Sequence, residues 1–323
     1  MSLSSLKALN TPDQNIASAL KFPKDFLSIA DLSVEQIKAV FALAAEMKKA
    51  PAKYAQALAG KQIAVLFEKP SLRTRVSFEV GPNKLGANAV VLDHKEQRIG
   101  AREAIKDYAK NLERWVDCIV ARVYSHKTLI EMASHARIPV VNALCDLEHP
   151  CQALADFFTL AEQGVDFSTL KLGFLGDGNN VSQSLILLAA KLGAQITVVT
   201  PWGYEPDADV VLKAQDIAKH TGAVIKLGHE TVMLGEHDAV YTDTWASMGQ
   251  EAEHDARVKV FSPYQVNAGL MSSLGVKYFM HCLPAHRGEE VTDEVIDGSG
   301  SLVYEQAENR MHVQNALLTL LLK

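Results

Sequence analysis

Nine short, β-rich apolar runs alternate with helix-patterned stretches along this chain, and that alternation restricts its fold more than any other feature. Four runs fall in the first half (63–67, 89–92, 118–121, 139–142). Five fall in the second (172–175, 196–200, 224–227, 239–242, 278–281). Amphipathic stretches such as 103–114 and 182–192 lie between them. Strands that each lead into a helix form parallel sheets, because only a crossover can return the chain to the next strand in the same direction. Sheets of that kind carry helices on both faces.

At 323 residues the chain exceeds the usual single-domain size. The strand pattern breaks near 146–152, where a helix-like run over 153–162 follows, and this is the candidate hinge. The expected fold is α/β with two domains, each a mostly parallel sheet with helices on both faces. The expected bounds are 1–147 together with 304–323, and 148–303. Met311, Val313, Ala316, Leu317, Leu320 and Leu321 form an apolar helical face, so the last segment is expected to be a helix crossing back to the first domain. Ser33 followed by Gln36 is a capping-box pattern ahead of an early helix.

Charge and composition exclude several classes. A net charge of −6 argues against a nucleic-acid binder, which would present a basic face. No run reaches the roughly 18 apolar residues of a membrane span, and neither a signal peptide nor a transit peptide is expected. The four cysteines (Cys118, Cys145, Cys151, Cys282) have no C-x-x-C spacing, which suits a reducing cytoplasmic setting. Cys145, His149 and Cys151 lack a second ligand pair at finger-like spacing, so no metal is expected.

Chemistry-bearing residues gather just after the predicted strands, where open parallel sheets bind ligands. Ser71-Leu72-Arg73-Thr74-Arg75 reads as a loop entering a helix, whose free N–H groups favour an anion. Arg73 adds a planar fork matched to phosphate oxygens. Arg122 follows another run, and His149-Pro150-Cys151-Gln152 places a proline at a helix start, with a histidine N–H and a glutamine amide to polarise a carbonyl. Gly176-Asp177-Gly178-Asn179-Asn180 invites a dinucleotide reading. Its third glycine is absent, however, and the next run ends in Thr200-Pro201 instead of an acidic residue, so the turn is read as presenting Asn180. Asp243-Thr244-Trp245-Ala246-Ser247-Met248-Gly249 suits a short cationic amine, and Cys282 sits at the end of the last run. Taken singly, each has an ordinary reading: a capped helix, a surface histidine, a core tryptophan, an inert thiol. Together they point to a phosphate-using transferase.

This set, spread over nearly the whole chain, resembles the ornithine carbamoyltransferase family. The matching pieces are Phe67 through Arg75, Asp146 through Gln152, Gly176 through Asn180, Asp243 through Gly249, His281 through Val291, and Glu308-Asn309-Arg310. The first two are shared by carbamoyltransferases broadly, whereas the Asp243 and His281 segments single out ornithine. The resemblance implies a carbamoyl-phosphate site made of Ser71, Leu72, Arg73, Thr74, Arg98, Arg122, His149, Gln152, Cys282, Leu283 and Arg310. It implies an ornithine site made of Asn180, Asp243, Ser247 and Met248, with Arg122, His149, Cys282 and Asp243 in the catalytic roles. Leu72 stands where threonine is frequent, and Arg98 where a glutamine is common. The first domain would bind carbamoyl phosphate and the second ornithine, giving citrulline and phosphate for arginine biosynthesis. The resemblance further implies a homotrimer that needs no cofactor. Aspartate, putrescine and N-acetylornithine are the rival acceptors, and a non-catalytic paralogue is the rival class.

Overall fold

The computed structural model describes residues 20–94, 96–246 and 251–323. Within them the chain divides into two compact units, one of residues 20–158 with 309–323 and one of residues 159–308. Elements of the first unit run α1 (Val34–Lys49), β1 (Gln62–Phe67), α2 (Leu72–Lys84), β2 (Asn88–Asp93), α3 (Ile105–Leu112), β3 (Cys118–Arg122), α4 (His126–His135) and β4 (Val140–Leu144), and α5 (Pro150–Glu162) runs from the first unit into the second. There follow β5 (Lys171–Leu175), α6 (Asn180–Leu192), β6 (Gln195–Val199), α7 (Ala208–Thr221), β7 (Val224–Gly228), β8 (Ala239–Thr242), α8 (His254–Phe261), β9 (Tyr278–His281) and α9 (Val303–Leu321). Residues 309–323, most of α9, belong to the first unit, as expected.

All nine expected strands form, and every pair within the two sheets is parallel. Strand order is β2-β1-β3-β4 in the first sheet and β7-β6-β5-β8-β9 in the second. Crossovers between parallel strands are right-handed. A sheet that grows to one side and then to the other of its first strand therefore places helices on opposite faces. The reversal lies between β1 and β3 in one sheet and between β5 and β8 in the other. At such a point neighbouring loops leave in opposite directions and open a crevice beyond the strands' carboxyl ends.

Burial explains why the strands read as apolar runs. Strands β3 and β4 are buried throughout, and β1 is buried after its first residue. Ala64, Leu66, Ile119, Ala121 and Val140 belong to one core with Leu129 and Met132 of α4. Strands β8 and β9 are likewise buried throughout, and Leu175, Val240 and Phe279 share a second core with Val266 and Val295. The edge strands β2 and β7 remain half-exposed. Local signals set the helix starts. Ser33 and Gln36 complete the expected capping box on α1, and Ser71 caps α2.

Candidate active site

The first unit gathers cations around one hydroxyl. After β1 the chain turns through Ser71, whose Oγ accepts the Thr74 N–H at 3.2 Å and so fixes the first turn of α2. Leu72, the first residue of that helix, is 72% exposed, so its side chain adds little there and its backbone N–H faces the anion-favouring helix end. Thr74 is fully buried, and its Oγ1 accepts hydrogen bonds from Arg310 Nη2 at 2.9 Å and from Arg122 Nη1 at 3.3 Å. Arg122 is the last residue of β3 rather than part of the loop after it, and Arg310 comes from α9. A single hydroxyl thus ties two remote segments, the end of β3 and α9, to the first turn of α2.

His149 immediately precedes α5 and is almost fully buried. Its pKa is pushed well below the usual imidazole value, first by burial and then by the charges of Arg310, Arg122 and Arg73. At neutral pH it is therefore a neutral ring, a hydrogen-bond donor among three guanidinium charges. Gln152, the third residue of α5, differs in detail from the expectation. Its Nε2 donates to the buried Asp156 carboxylate at 2.7 Å, while its Oε1 is buried and accepts no hydrogen bond among the described residues. A carboxylate can only accept, so Asp156 fixes the amide orientation. One amide N–H of Gln152 is thus committed to Asp156, and its Oε1 is left as an available acceptor.

Three residues to which the sequence assigns no role complete this half. Buried Glu68 accepts the N–H groups of Ile99 at 2.7 Å and Tyr124 at 2.8 Å, pinning the loop after β2 to the end of β3. Lys69 lies over the Tyr124 ring at 4.6 Å, its pKa lowered by burial and by Arg122. The third is Asp156. Arg98 stacks over the same Tyr124 ring at 4.3 Å and lines a cavity of about 430 Å³ with His94, Arg102 and Tyr108. None of Ser71, Arg73, Thr74 or Arg122 lines that cavity. Arg75 is engaged elsewhere, in an exposed ion pair with Asp93 at 2.9 Å.

The second unit is organised around a carboxylate. Asp243 follows β8 and is 7% exposed. Its Oδ1 accepts from the Cys282 thiol at 3.0 Å and from the Thr244 N–H at 2.8 Å, and its Oδ2 accepts from Asn179 Nδ2 at 2.8 Å. The ends of β5, β8 and β9 therefore meet on one acidic group. Asn179 also caps α6 by accepting the Val181 and Ser182 N–H groups, so Asn180 opens the helix. Gly178 is dictated by packing: a Cβ there would lie 2.2 Å from Pro206 N, and its own N–H donates to the Tyr204 carbonyl at 2.8 Å. That close backbone approach explains the glycine-rich turn without a dinucleotide.

Beyond Cys282, Leu283 holds a φ of +58°, rare for a non-glycine residue. Its N–H donates to His281 Nδ1 at 2.8 Å, so the opposite ring nitrogen carries the proton and faces the buried Glu290 carboxylate at 3.2 Å. Ser247 and Met248 lie outside the described residues. Asp243, His281 and Cys282 have ligand atoms close enough to share a metal ion, as do His286, Glu289 and Glu290. The hydrogen bonds just described already commit the first set to one another and to their neighbours. The trio Cys145, His149 and Cys151 does not form such a group among the described residues.

Comparison with known proteins also finds two domains, although the second matched segment runs on through residues 309–321, which belong to the first unit. Residues 24–162 match the aspartate/ornithine carbamoyltransferase carbamoyl-P binding domain, and residues 168–321 match the Asp/Orn binding domain of the same family. The chain is 52% identical over 298 residues to an ornithine carbamoyltransferase of Shewanella oneidensis, covering 92% of this chain and 99% of that one. It is 46% identical over 303 residues to a Pyrococcus furiosus protein named as an anabolic ornithine carbamoyltransferase, covering 93% and 96%. A solved structure of ornithine carbamoyltransferase from Pyrococcus furiosus superposes with a TM-score of 0.88 at 46% identity, covering 93% of this chain and 97% of that one.

Proposed function

We propose, since the chain belongs to the aspartate/ornithine carbamoyltransferase family, that it transfers the carbamoyl group of carbamoyl phosphate to the δ-amine of L-ornithine, giving L-citrulline and phosphate. The observation that carries this reading is the opposite polarity of the two units: three guanidinium groups around a neutral histidine in one, and a triply hydrogen-bonded carboxylate in the other.

The first half-site holds the phosphate. Ser71, the N–H of Leu72, Arg73 and Thr74 bind its oxygens, and Arg73 and Arg122 receive charge as the bond to carbon breaks. His149, being neutral, donates to the carbonyl oxygen as negative charge develops there. With Arg310 beside it, that ring does not act as the proton acceptor. Gln152 Oε1 accepts from the carbamoyl NH2, which distinguishes that end of the group from the carbonyl end. Arg98 adds a guanidinium from the Tyr124 side.

The second half-site holds the amino acid. Asp243 attracts the δ-ammonium, with Cys282 and the Leu283 backbone beside it. Asn180, Ser247 and Met248 address the remainder of ornithine. A free alkylammonium has a pKa near 10.4, so it must lose a proton before attack. That proton goes to solvent; the amine nitrogen then bonds to the carbamoyl carbon, the carbon–oxygen bond to phosphate breaks, and the second N–H proton passes to the departing phosphate. Positive charge for the leaving group comes from arginine, so no step calls for a metal or organic cofactor.

An amine panel tests the reading. Ornithine is expected to exceed lysine, because one extra methylene displaces the nitrogen by about an ångström and such misplacement costs up to about 10²-fold. Ornithine is expected to exceed putrescine, which leaves the polar groups for the α-carboxylate unpaired. Equal turnover of ornithine and putrescine would sink the assignment of ornithine. Names among the relatives support the biosynthetic direction. The absence of a disulfide among the four cysteines supports a cytoplasmic setting. Family resemblance supports a homotrimer. Sedimentation at the mass of a single 35.2 kDa chain would overturn the last point.

A further inference from the structure

Arg257, on α8, is 4% exposed and takes no part in the chemistry above. Its Nε donates to the Trp245 carbonyl and its Nη2 to the Asp177 carboxylate. The guanidinium also lies over two aromatic rings, Tyr204 at 4.8 Å and Phe261 at 5.1 Å. A further carboxylate, Glu253, stands 3.7 Å from Nη1 but is largely exposed and so contributes little. Trp245 is two residues beyond Asp243, and Asp177 is two residues before Asn179, which donates to Asp243. One planar fork therefore joins the turn that carries Asn179 and Asn180 to the strand end that carries Asp243. A buried guanidinium is costly unless its donors are satisfied. Here they are satisfied by the two segments whose separation sets the geometry of the amine half-site.

We infer that Arg257 is a positioning residue for that half-site, fixing the Asp177–Asn180 turn against the Asp243–Trp245 segment and thereby setting affinity for the amino-acid substrate. The inference rests on the carbamoyltransferase reading, and its failure is separable from the failure of that reading. Lysine keeps the charge but offers a compact ammonium in place of a fork, so it cannot reach both acceptors in the same plane.

The test compares wild type with Arg257→Lys, Arg257→Gln, Asp177→Asn and the double variant Arg257→Gln/Asp177→Asn. Each is assayed for the KM of both substrates, with ornithine binding followed by calorimetry. Arg257→Lys is expected to raise the ornithine KM on the order of 10-fold while the carbamoyl-phosphate KM stays within about twofold, because the cationic half-site shares none of these residues. Arg257→Gln is expected to cost more. The double variant is expected to lose little beyond the worse single variant, as coupled partners do. An unchanged ornithine KM in Arg257→Lys would overturn the positioning role. So would an equal loss of affinity for both substrates, which would make Arg257 a general fold residue. A wild-type chain that fails to carbamoylate ornithine would overturn the functional reading instead.

Discussion

The two half-sites occupy equivalent places, each at the reversal of strand order in its own parallel sheet, yet they are built by opposite means. The cationic half recruits permanently charged groups from far along the chain. Arg122 and Arg310 both meet the Thr74 hydroxyl, although Arg310 lies 236 residues away in sequence. The acidic half recruits only the ends of three neighbouring strands, and they converge on one carboxylate. The difference suits the ligands proposed for each half. A phosphate needs several donors in a fixed fork geometry, whereas an ammonium needs one well-oriented acceptor.

The largest effects should come from the cationic half. Arg73→Ala is expected to lower kcat by on the order of 10²-fold or more, the usual cost of losing a donor to developing negative charge. Steady-state kinetics with saturating ornithine would show it, and a change confined to the ornithine KM would break the comparison. Asp243→Asn is the mirror test. It is expected to raise the ornithine KM by roughly 10- to 100-fold, with a far smaller effect on carbamoyl phosphate, since it removes the partner of a cation. The reverse pattern would mean that the two ends are exchanged.

A smaller effect belongs to Asp156. Substituting Asn keeps the shape but lets either end of the Gln152 amide face it, so the acceptor orientation of Oε1 is no longer enforced. A fall in kcat of about 10-fold is expected, with little change in the ornithine KM. An unaltered kcat would show that the Gln152 amide holds its orientation without this carboxylate.

These cases mark what was legible in the sequence. The strands were, because strands buried on both faces must be apolar throughout, and even the half-exposed edges β2 and β7 kept enough β-branched residues. Ends shifted by a residue or two: β4 runs to Leu144, and β3 takes in Arg122. The candidate ligand-binding residues sit mostly in contiguous motifs, so the sequence could nominate them. Residues that hold those motifs in place could not. Glu68 meets Tyr124 across 56 positions, and Arg257 meets Asp177 across 80. Nothing local in either residue announces its partner. Gly178 looked like part of a nucleotide loop because close backbone approach and phosphate binding call for the same residue.

The smallest expected effect is on stability near neutral pH, where the two halves oppose each other. His149 has a folded pKa below its unfolded value near 6.5, so the unfolded chain binds more protons as pH falls through that value, and acidification destabilises the fold. Asp177 has its pKa pushed up to about 6, chiefly by burial and against the pull of Arg257. Between its ordinary value near 3.8 and about 6 the folded chain binds more protons than the unfolded one, so acidification through that window stabilises. The two contributions overlap below pH 6 and partly cancel in wild type. Removing one should expose the other. Calorimetric unfolding from pH 4 to 7.5 should show His149→Gln losing less stability on acidification than wild type; Asp177→Asn should lose more, in its case by on the order of 1–3 kcal/mol at the acid end. Variants that both shift in the same direction would show that the two halves do not carry opposite proton linkages.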